Sequence, residues 1–156
     1  MRWLKIPGMV IGFVAGLLVG ALAAVANAPT GFIVVAALGL GIPLAIFGIL
    51  YDALLDAGKL NFGYAAPSAL YGVLTFPIAR LVQELLLTAI FGQGITLQQE
   101  SGVLSFLAYQ AMMGFGYGIG FLMIHSQIIE MSAWRQYRKR VKEEGGKQPH
   151  TAEKRA

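Results

Sequence analysis

The chain of 156 residues is 56% hydrophobic and only 13% charged, whereas soluble domains carry about 25% charged residues. Since a soluble domain of this size could not bury so much apolar surface, the composition predicts an all-α integral membrane protein. The absence of cysteine excludes disulfides, thiolate metal sites and cysteine nucleophiles. With two histidines, His125 and His150, a bis-histidine haem or histidine-rich metal centre is not expected, so we predict no cofactor and no metal.

The first apolar segment, predicted as a helix over 6–28, repeats a small residue at every fourth position: Gly8, Gly12, Gly16, Gly20, Ala24 and Ala28. Residues four apart lie on one face of a helix, and small faces let membrane helices approach closely. We therefore predict tight packing against this chain or a partner. The segment also resembles a cleavable secretory signal, but its apolar core exceeds the usual length of about 7–15 residues, which favours a retained helix.

The second segment is predicted as a helix over 32–51, bent by Pro43 near Gly39. Tyr51, Asp52, Asp56 and Lys59 are expected to mark its exit into water. The third segment, 65–92, contains Pro77 and allows two interpretations. Either one long bent helix crosses the membrane, or the chain breaks at Pro77 and its second part lies along an interface. The first is favoured, because the part before the proline is too short to cross easily alone.

Four polar residues share one face of the third segment: Arg80, Gln83, Glu84 and Thr88. Ionisable groups at the bilayer centre cost about 2.5–3.5 kcal/mol and are usually paired and inward-facing. A functional interpretation is a proton or ion path, or a site for an anionic headgroup, with Arg80 as the cation. The structural alternative is an Arg80–Glu84 ion pair that stabilises the bundle or docks on a partner subunit.

The fourth segment is predicted as a helix over 102–134 that extends to about 144. Gly114 and Gly118 form one small-residue pair at helical spacing, and Gly116 and Gly120 form a second pair beside it. His125 lies near Ser126, Gln127 and Glu130. It could titrate near neutral pH or bind a quinone carbonyl, or it could be a hydrogen-bonded residue of the membrane boundary.

A basic cluster follows Trp134: Arg135, Arg138, Lys139, Arg140 and Lys142. It could bind anionic lipid headgroups or contact an acidic partner or nucleic acid, but a topology signal and lipid anchor is favoured. The tail, 145–156, is predicted to be disordered. With four crossings, every lysine and arginine except Arg80 falls on one side of the membrane. The positive-inside rule then predicts that both termini are cytoplasmic and that the protein is a multi-pass protein of the cytoplasmic (inner) membrane.

These features predict a four-transmembrane-helix bundle with glycine-rich packing faces and almost no extramembrane domain. We expect a non-catalytic accessory, assembly or stabilising subunit of a larger membrane complex, such as a respiratory or photosynthetic one. Its expected partners are other membrane subunits or copies of itself, with no nucleic acid. The alternative is a small oligomeric transporter or channel that uses Arg80 and Glu84. An enzyme is least supported, since few polar groups are available at depth.

Overall fold

The computed structural model describes residues 7–60, 65–92 and 102–145, and for Ser132, Ala133, Gln136 and 139–145 it describes the backbone alone. In these ranges the regular elements are four helices: α1 Pro7–Val25, α2 Thr30–Asp56, α3 Ala65–Phe91 and α4 Gly102–Gly145. All four are long and apolar enough to cross a membrane, α4 through its part Gly102–Met131. The prediction of an all-helical, multi-pass membrane protein is confirmed at this level.

Residues with positive φ end the first three helices. Asn27 has φ 57°, and the N–H of Ala28 donates to the carbonyl of Ala23 over 3.0 Å, which closes the last turn of α1 in a Schellman motif. The helix therefore ends before residue 28, where the sequence placed its end. Gly58, with φ 68°, ends α2 by the same motif, and Gly92, with φ 64°, ends α3 by a single bond to Thr88.

The helices form two antiparallel hairpins, and glycine lies at the contact in both. In the first hairpin α1 runs against α2, where a Cβ added to Gly12 would overlap the carbonyl group of Leu44. A Cβ on Gly16 would likewise overlap the backbone of Gly41. In the second hairpin α3 runs against α4, and a Cβ on Gly72 would lie 2.9 Å from the Cα of Gly118. The backbones therefore touch without an intervening side chain.

The hairpins join mainly through α2 and α3, and α1 and α4 share a smaller contact. The buried apolar side chains form two clusters, one of Ile11, Tyr51 and Phe121 and one of Leu40, Leu44 and Ala79. The first cluster lies where α1 begins and α2 ends, which we call the Asp52 end. At the other end, the rings of Phe32 and Phe91 pack with centroids 5.8 Å apart, and we call it the Phe91 end.

The structure tests two of the sequence predictions for α2 and α3. Of the four residues expected to mark the exit of α2 into water, Asp56 and Lys59 are exposed, but the expectation is wrong for Tyr51 and Asp52. The helix continues to Asp56, and both side chains are buried, at 1% and 0% exposure. The chain does not break at Pro77, because α3 continues from Ala65 to Phe91 with that proline inside it.

Several other predictions fall outside the described residues. They concern the basic residues Arg2 and Lys5, the polar connection 93–101, and the tail after Gly145, which the sequence predicts to be disordered.

Candidate functional site

A buried acid–base pair lies at the Asp52 end and connects three helices. The Nε2 atom of His125 is 2.7 Å from Oδ1 of Asp52, and neither side chain has any exposed surface. The second carboxylate oxygen, Oδ2, accepts a hydrogen bond of 3.0 Å from the backbone N–H of Gly8. Asp52 on α2 therefore binds both the beginning of α1 and the side chain of α4. We call Gly8, Asp52 and His125 the Asp52 cluster.

The start of α1 is suited to this carboxylate. The first N–H groups of a helix have no partner within the helix, and the helix dipole places partial positive charge there. Pro7, the first helical residue, has no N–H, so the first donor is that of Gly8. A Cβ on Gly8 would lie 2.8 Å from Oδ2 of Asp52, so a larger residue would displace the carboxylate.

Aromatic and hydroxyl groups surround the Asp52 cluster. The hydroxyl of Tyr51 lies 2.5 Å from Oγ of Ser68, and its ring packs edge-on against Tyr71 and Phe121, with centroids 5.2 Å and 5.0 Å away. Phe121 also stacks on the ring of His125 at 5.7 Å. Because apolar rings cover the pair, water is excluded and the hydrogen bonds of Asp52 act in a medium of low dielectric constant.

A second polar group lies on α3 in the other half of the bundle. The Nε2 atom of Gln83 donates a hydrogen bond of 2.6 Å to the carbonyl of Ala36 on α2, and Nη1 of Arg80 donates to Oε1 of Gln83. The Nη2 atom of Arg80 is 3.7 Å from Oε2 of Glu84, which is an ion pair longer than a hydrogen bond. We call Arg80, Gln83 and Glu84 the Arg80 cluster.

The face predicted from sequence spacing thus contains real contacts among Arg80, Gln83 and Glu84. Thr88 does not extend the side-chain network, since its hydroxyl donates to the carbonyl of Glu84 in the preceding turn, over 2.9 Å. The side chains of Gln83 and Glu84 are buried, whereas 24% of the Arg80 side chain is exposed. Gln83 is the member of the cluster that connects α3 to α2, through its hydrogen bond to Ala36.

The two polar clusters are separate sites. Ser68, beside the Asp52 cluster, and Arg80 are twelve residues apart on α3, which is about 18 Å along the helix axis. Between them lies a small cavity of about 10 Å³, close to the space that one water molecule needs. Its walls include four residues with hydroxyl groups: Ser68, Tyr71, Thr75 and Tyr117.

A larger open cleft is lined by residues of α1 and α4 together with parts of α2 and α3. Its volume is about 390 Å³, and all four helices contribute to its apolar wall, including Val19, Leu44, Phe76 and Gly116. Beyond their own helical turns, no atom of the described residues lies within 4 Å of the place that a Cβ on Gly116 or Gly120 would occupy, whereas a Cβ on Gly114 would overlap the carbonyl of Gly72. Of the two small-residue pairs of α4, one therefore contacts α3 and the other faces open space.

The remaining predicted residues are placed as follows. Gly8, Gly12, Gly16 and Gly20 are buried on the α1 surface that faces α2, and Gly118 faces Ser68 on α3. Arg135 and Arg138 are exposed on the part of α4 beyond the apolar span. The side chains of Lys139, Arg140 and Lys142 lie outside the described part of the chain.

His125 has a different neighbourhood from the one that the sequence indicated. The sequence places it near Ser126, Gln127 and Glu130 along its own helix, but its partner is Asp52, 73 residues earlier. The hydroxyl of Ser126 instead donates to the carbonyl of Met123.

The sequence did not indicate Asp52 as a site residue, although one signal was available. Ala37, Gly41, Leu44 and Gly48 are the residues of α2 that face the glycines of α1, at spacings of three and four. The next position of that stripe is Asp52, so the pattern assigns it to the buried face. The buried Gln110, at 6% exposure on α4, was also missed. Among the described residues, no group of three or more His, Cys, Asp or Glu side chains could hold a metal ion.

Comparison with known proteins finds no matching family model, no matching curated protein and no matching solved structure. Function is therefore inferred from the geometry of the two polar clusters and the open cleft.

Proposed function

We propose that this protein is a non-catalytic subunit that assembles with, or stabilises, a larger membrane protein complex. The observation that supports the proposal is the open face of α4. Gly116 and Gly120 form a small-residue pair with no packing partner among the described residues, beside an apolar cleft of about 390 Å³. In a bilayer such a surface suits close approach by another transmembrane helix, because helix association there depends on van der Waals contact between small faces.

The glycines of α1 are not the proposed contact with a partner. Gly8, Gly12 and Gly16 lie against the backbone of α2, so their surface is occupied within the chain. The same holds for Gly114 and Gly118, which face α3. The proposed docking face is therefore the one formed by α1 and α4 around Gly116, and the other glycines act in the fold of the subunit itself.

The proposed orientation has both termini in the cytoplasm, in the cytoplasmic (inner) membrane. The Asp52 end contains the beginning of α1 and the later part of α4, which continues past the apolar span ending at Met131. Arg135 and Arg138 are exposed on that continuation, and the positive-inside rule assigns such residues to the cytoplasmic side. There they are suited to bind anionic headgroups, each contributing about 1 kcal/mol.

The proposal is tested by native mass spectrometry of the protein extracted mildly from its own membrane. We expect unrelated subunits at a fixed ratio, and we expect Gly116→Leu to lose them, because the leucine fills the docking face. The matched control is Ala89→Leu, at an exposed position near the end of α3, which should keep them. A wild-type mass of 16.7 kDa or an integer multiple of it would contradict the proposal.

A second candidate function, a small oligomeric transporter or channel, is favoured by the polar interior. A hydroxyl-lined cavity lies between the Asp52 and Arg80 clusters, as a proton path would require. In the described part of the chain, however, no hydrogen bond joins the hydroxyl of Thr75 to the Arg80 cluster, since that hydroxyl donates to the carbonyl of Tyr71.

Proton flux separates this candidate from the first. If it is correct, liposomes containing the purified protein should acidify under a pH gradient faster than empty liposomes, and Glu84→Gln should abolish the difference. Equal rates for protein-containing and empty liposomes would remove the transporter from consideration.

A further inference from the structure

The guanidinium group of Arg80 has more hydrogen-bond donors than the described residues satisfy. Arginine carries five N–H donors. One nitrogen, Nη1, donates to Gln83, and Nη2 approaches Glu84 only to 3.7 Å. No other acceptor for this group is found in the described part of the chain, and 24% of the side chain is exposed. The exposed guanidinium therefore requires acceptors that the described fold does not provide.

The depth of Arg80 limits where those acceptors can come from. It is 15 residues from the beginning of α3 at Ala65 and 11 from its end at Phe91, which is roughly 22 Å and 16 Å along the axis. Half of a bilayer's hydrocarbon core is about 15 Å thick. Arg80 thus lies near the middle of the membrane, and an extended arginine side chain does not reach the headgroups from there. An exposed donor in hydrocarbon is costly, which favours an acceptor from protein.

Arg80 is also close to the open cleft. It follows Phe76 by four residues on α3, one helical turn, and Phe76 forms part of the cleft wall. A helix that lay in the cleft against Gly116 would therefore pass near the guanidinium after about one further turn.

We propose that Arg80 recognises a transmembrane helix of the partner subunit through a neutral oxygen acceptor, an amide, hydroxyl or free carbonyl group. This inference rests on the proposed function and names the chemistry of the partner. The charges of Arg80 and Glu84 argue against a carboxylate as the acceptor on the partner helix. The Arg80–Glu84 pair is already neutral in sum, so an added carboxylate would leave one uncompensated negative charge in hydrocarbon. A neutral oxygen adds hydrogen bonds to a charged donor without that cost.

The test uses the wild-type complex extracted mildly from its own membrane and three variants: Arg80→Met/Glu84→Gln, Glu84→Gln and Arg135→Met. The double variant removes the guanidinium and the opposite charge of Glu84 together, so that the cluster stays neutral. Arg135→Met removes a guanidinium from the exposed continuation of α4. We expect the double variant to lower the partner-bound fraction about tenfold and Arg135→Met to retain the partner, whereas Glu84→Gln, which keeps the guanidinium, should retain more partner than the double variant. Thermal melting of each variant separates loss of partner from loss of fold.

A photo-crosslinking residue at Met113, which lies in the cleft wall, identifies the partner segment. We expect an apolar helix with small residues and an amide or hydroxyl side chain about one turn from the crosslink. Retention of the partner by a folded double variant would overturn the role of Arg80 while leaving the proposed function intact. That role is equally overturned if the double variant unfolds and the crosslinked segment lacks a neutral oxygen acceptor. A wild-type particle containing only copies of this chain and lipid would overturn both the role of Arg80 and the proposed function.

Discussion

Replacement of Asp52 by alanine is expected to destabilise the folded protein by about 3–5 kcal/mol. The change leaves His125 buried without its 2.7 Å partner and leaves the N–H of Gly8 without its acceptor. Both groups are buried away from water, so water cannot replace the hydrogen bonds that the substitution removes. Asp52→Asn should cost less, because an amide oxygen can still accept from Gly8. The measurement is the midpoint of thermal unfolding in detergent or bicelles.

Asp56→Ala is the matched control for this prediction. Asp56 is one turn further along α2 and is exposed, so its removal should change stability by no more than about 0.5 kcal/mol. His125→Ala should resemble Asp52→Ala, and the double replacement should cost clearly less than the sum, because the two side chains share one interaction. If Asp52→Ala unfolded at the same temperature as Asp56→Ala, the buried pair of Asp52 and His125 would have no structural role.

Asp52 also shows which features of the fold could not be predicted from the sequence. The number of helices and their approximate bounds follow from local information: apolar runs, turn residues such as Asn27 and Gly58, and helical spacing. The burial of Asp52 depends on which surface of α2 is covered by α1 and on His125 reaching the same point from α4. Gly8 and Asp52 are 44 positions apart in the sequence, and Asp52 and His125 are 73 positions apart. Hydropathy along the chain gives no information on contacts between such distant residues. A carboxylate after an apolar run looks like an exit into water unless its helical stripe is followed.

The glycine pairs of α4 also differ in the fold in a way that their spacing in the sequence does not reveal. Spacing identifies Gly114 with Gly118 and Gly116 with Gly120 as equivalent pairs on α4. In the fold they are not equivalent, since the first pair meets the backbone of α3 and the second faces open space. Which pair is occupied depends on the rotation of α4 about its axis, which packing against Gly72 and Ser68 determines. The sequence therefore predicts small faces, and the three-dimensional arrangement packs one of them against α3 and leaves the other uncovered among the described residues.

Gly12→Leu is expected to separate α1 from α2, the second large effect. The added Cβ alone would overlap the carbonyl group of Leu44 and lie 2.7 Å from the backbone nitrogen of Ala45. Because these are backbone atoms within a helix, no side-chain rotation relieves the overlap, and the helices must move apart along the whole contact. Even Gly12→Ala should cost about 1–3 kcal/mol, despite the higher helix propensity of alanine. Thermal unfolding and proteolysis of the turn after Val25 report the change.

Gly116→Leu is the control that makes this prediction specific. Both positions are glycines within apolar helices, but a Cβ on Gly116 would meet no neighbour within 4 Å among the described residues, so the purified variant should unfold at the wild-type midpoint. The two variants are thus expected to fail in opposite ways, since Gly12→Leu should lose the fold of the protein and Gly116→Leu should lose only the proposed partner. Equal stability of the two variants would show that the close contact between α1 and α2 does not hold the first hairpin together. Equal retention of the partner would show that assembly does not use the open face of α4.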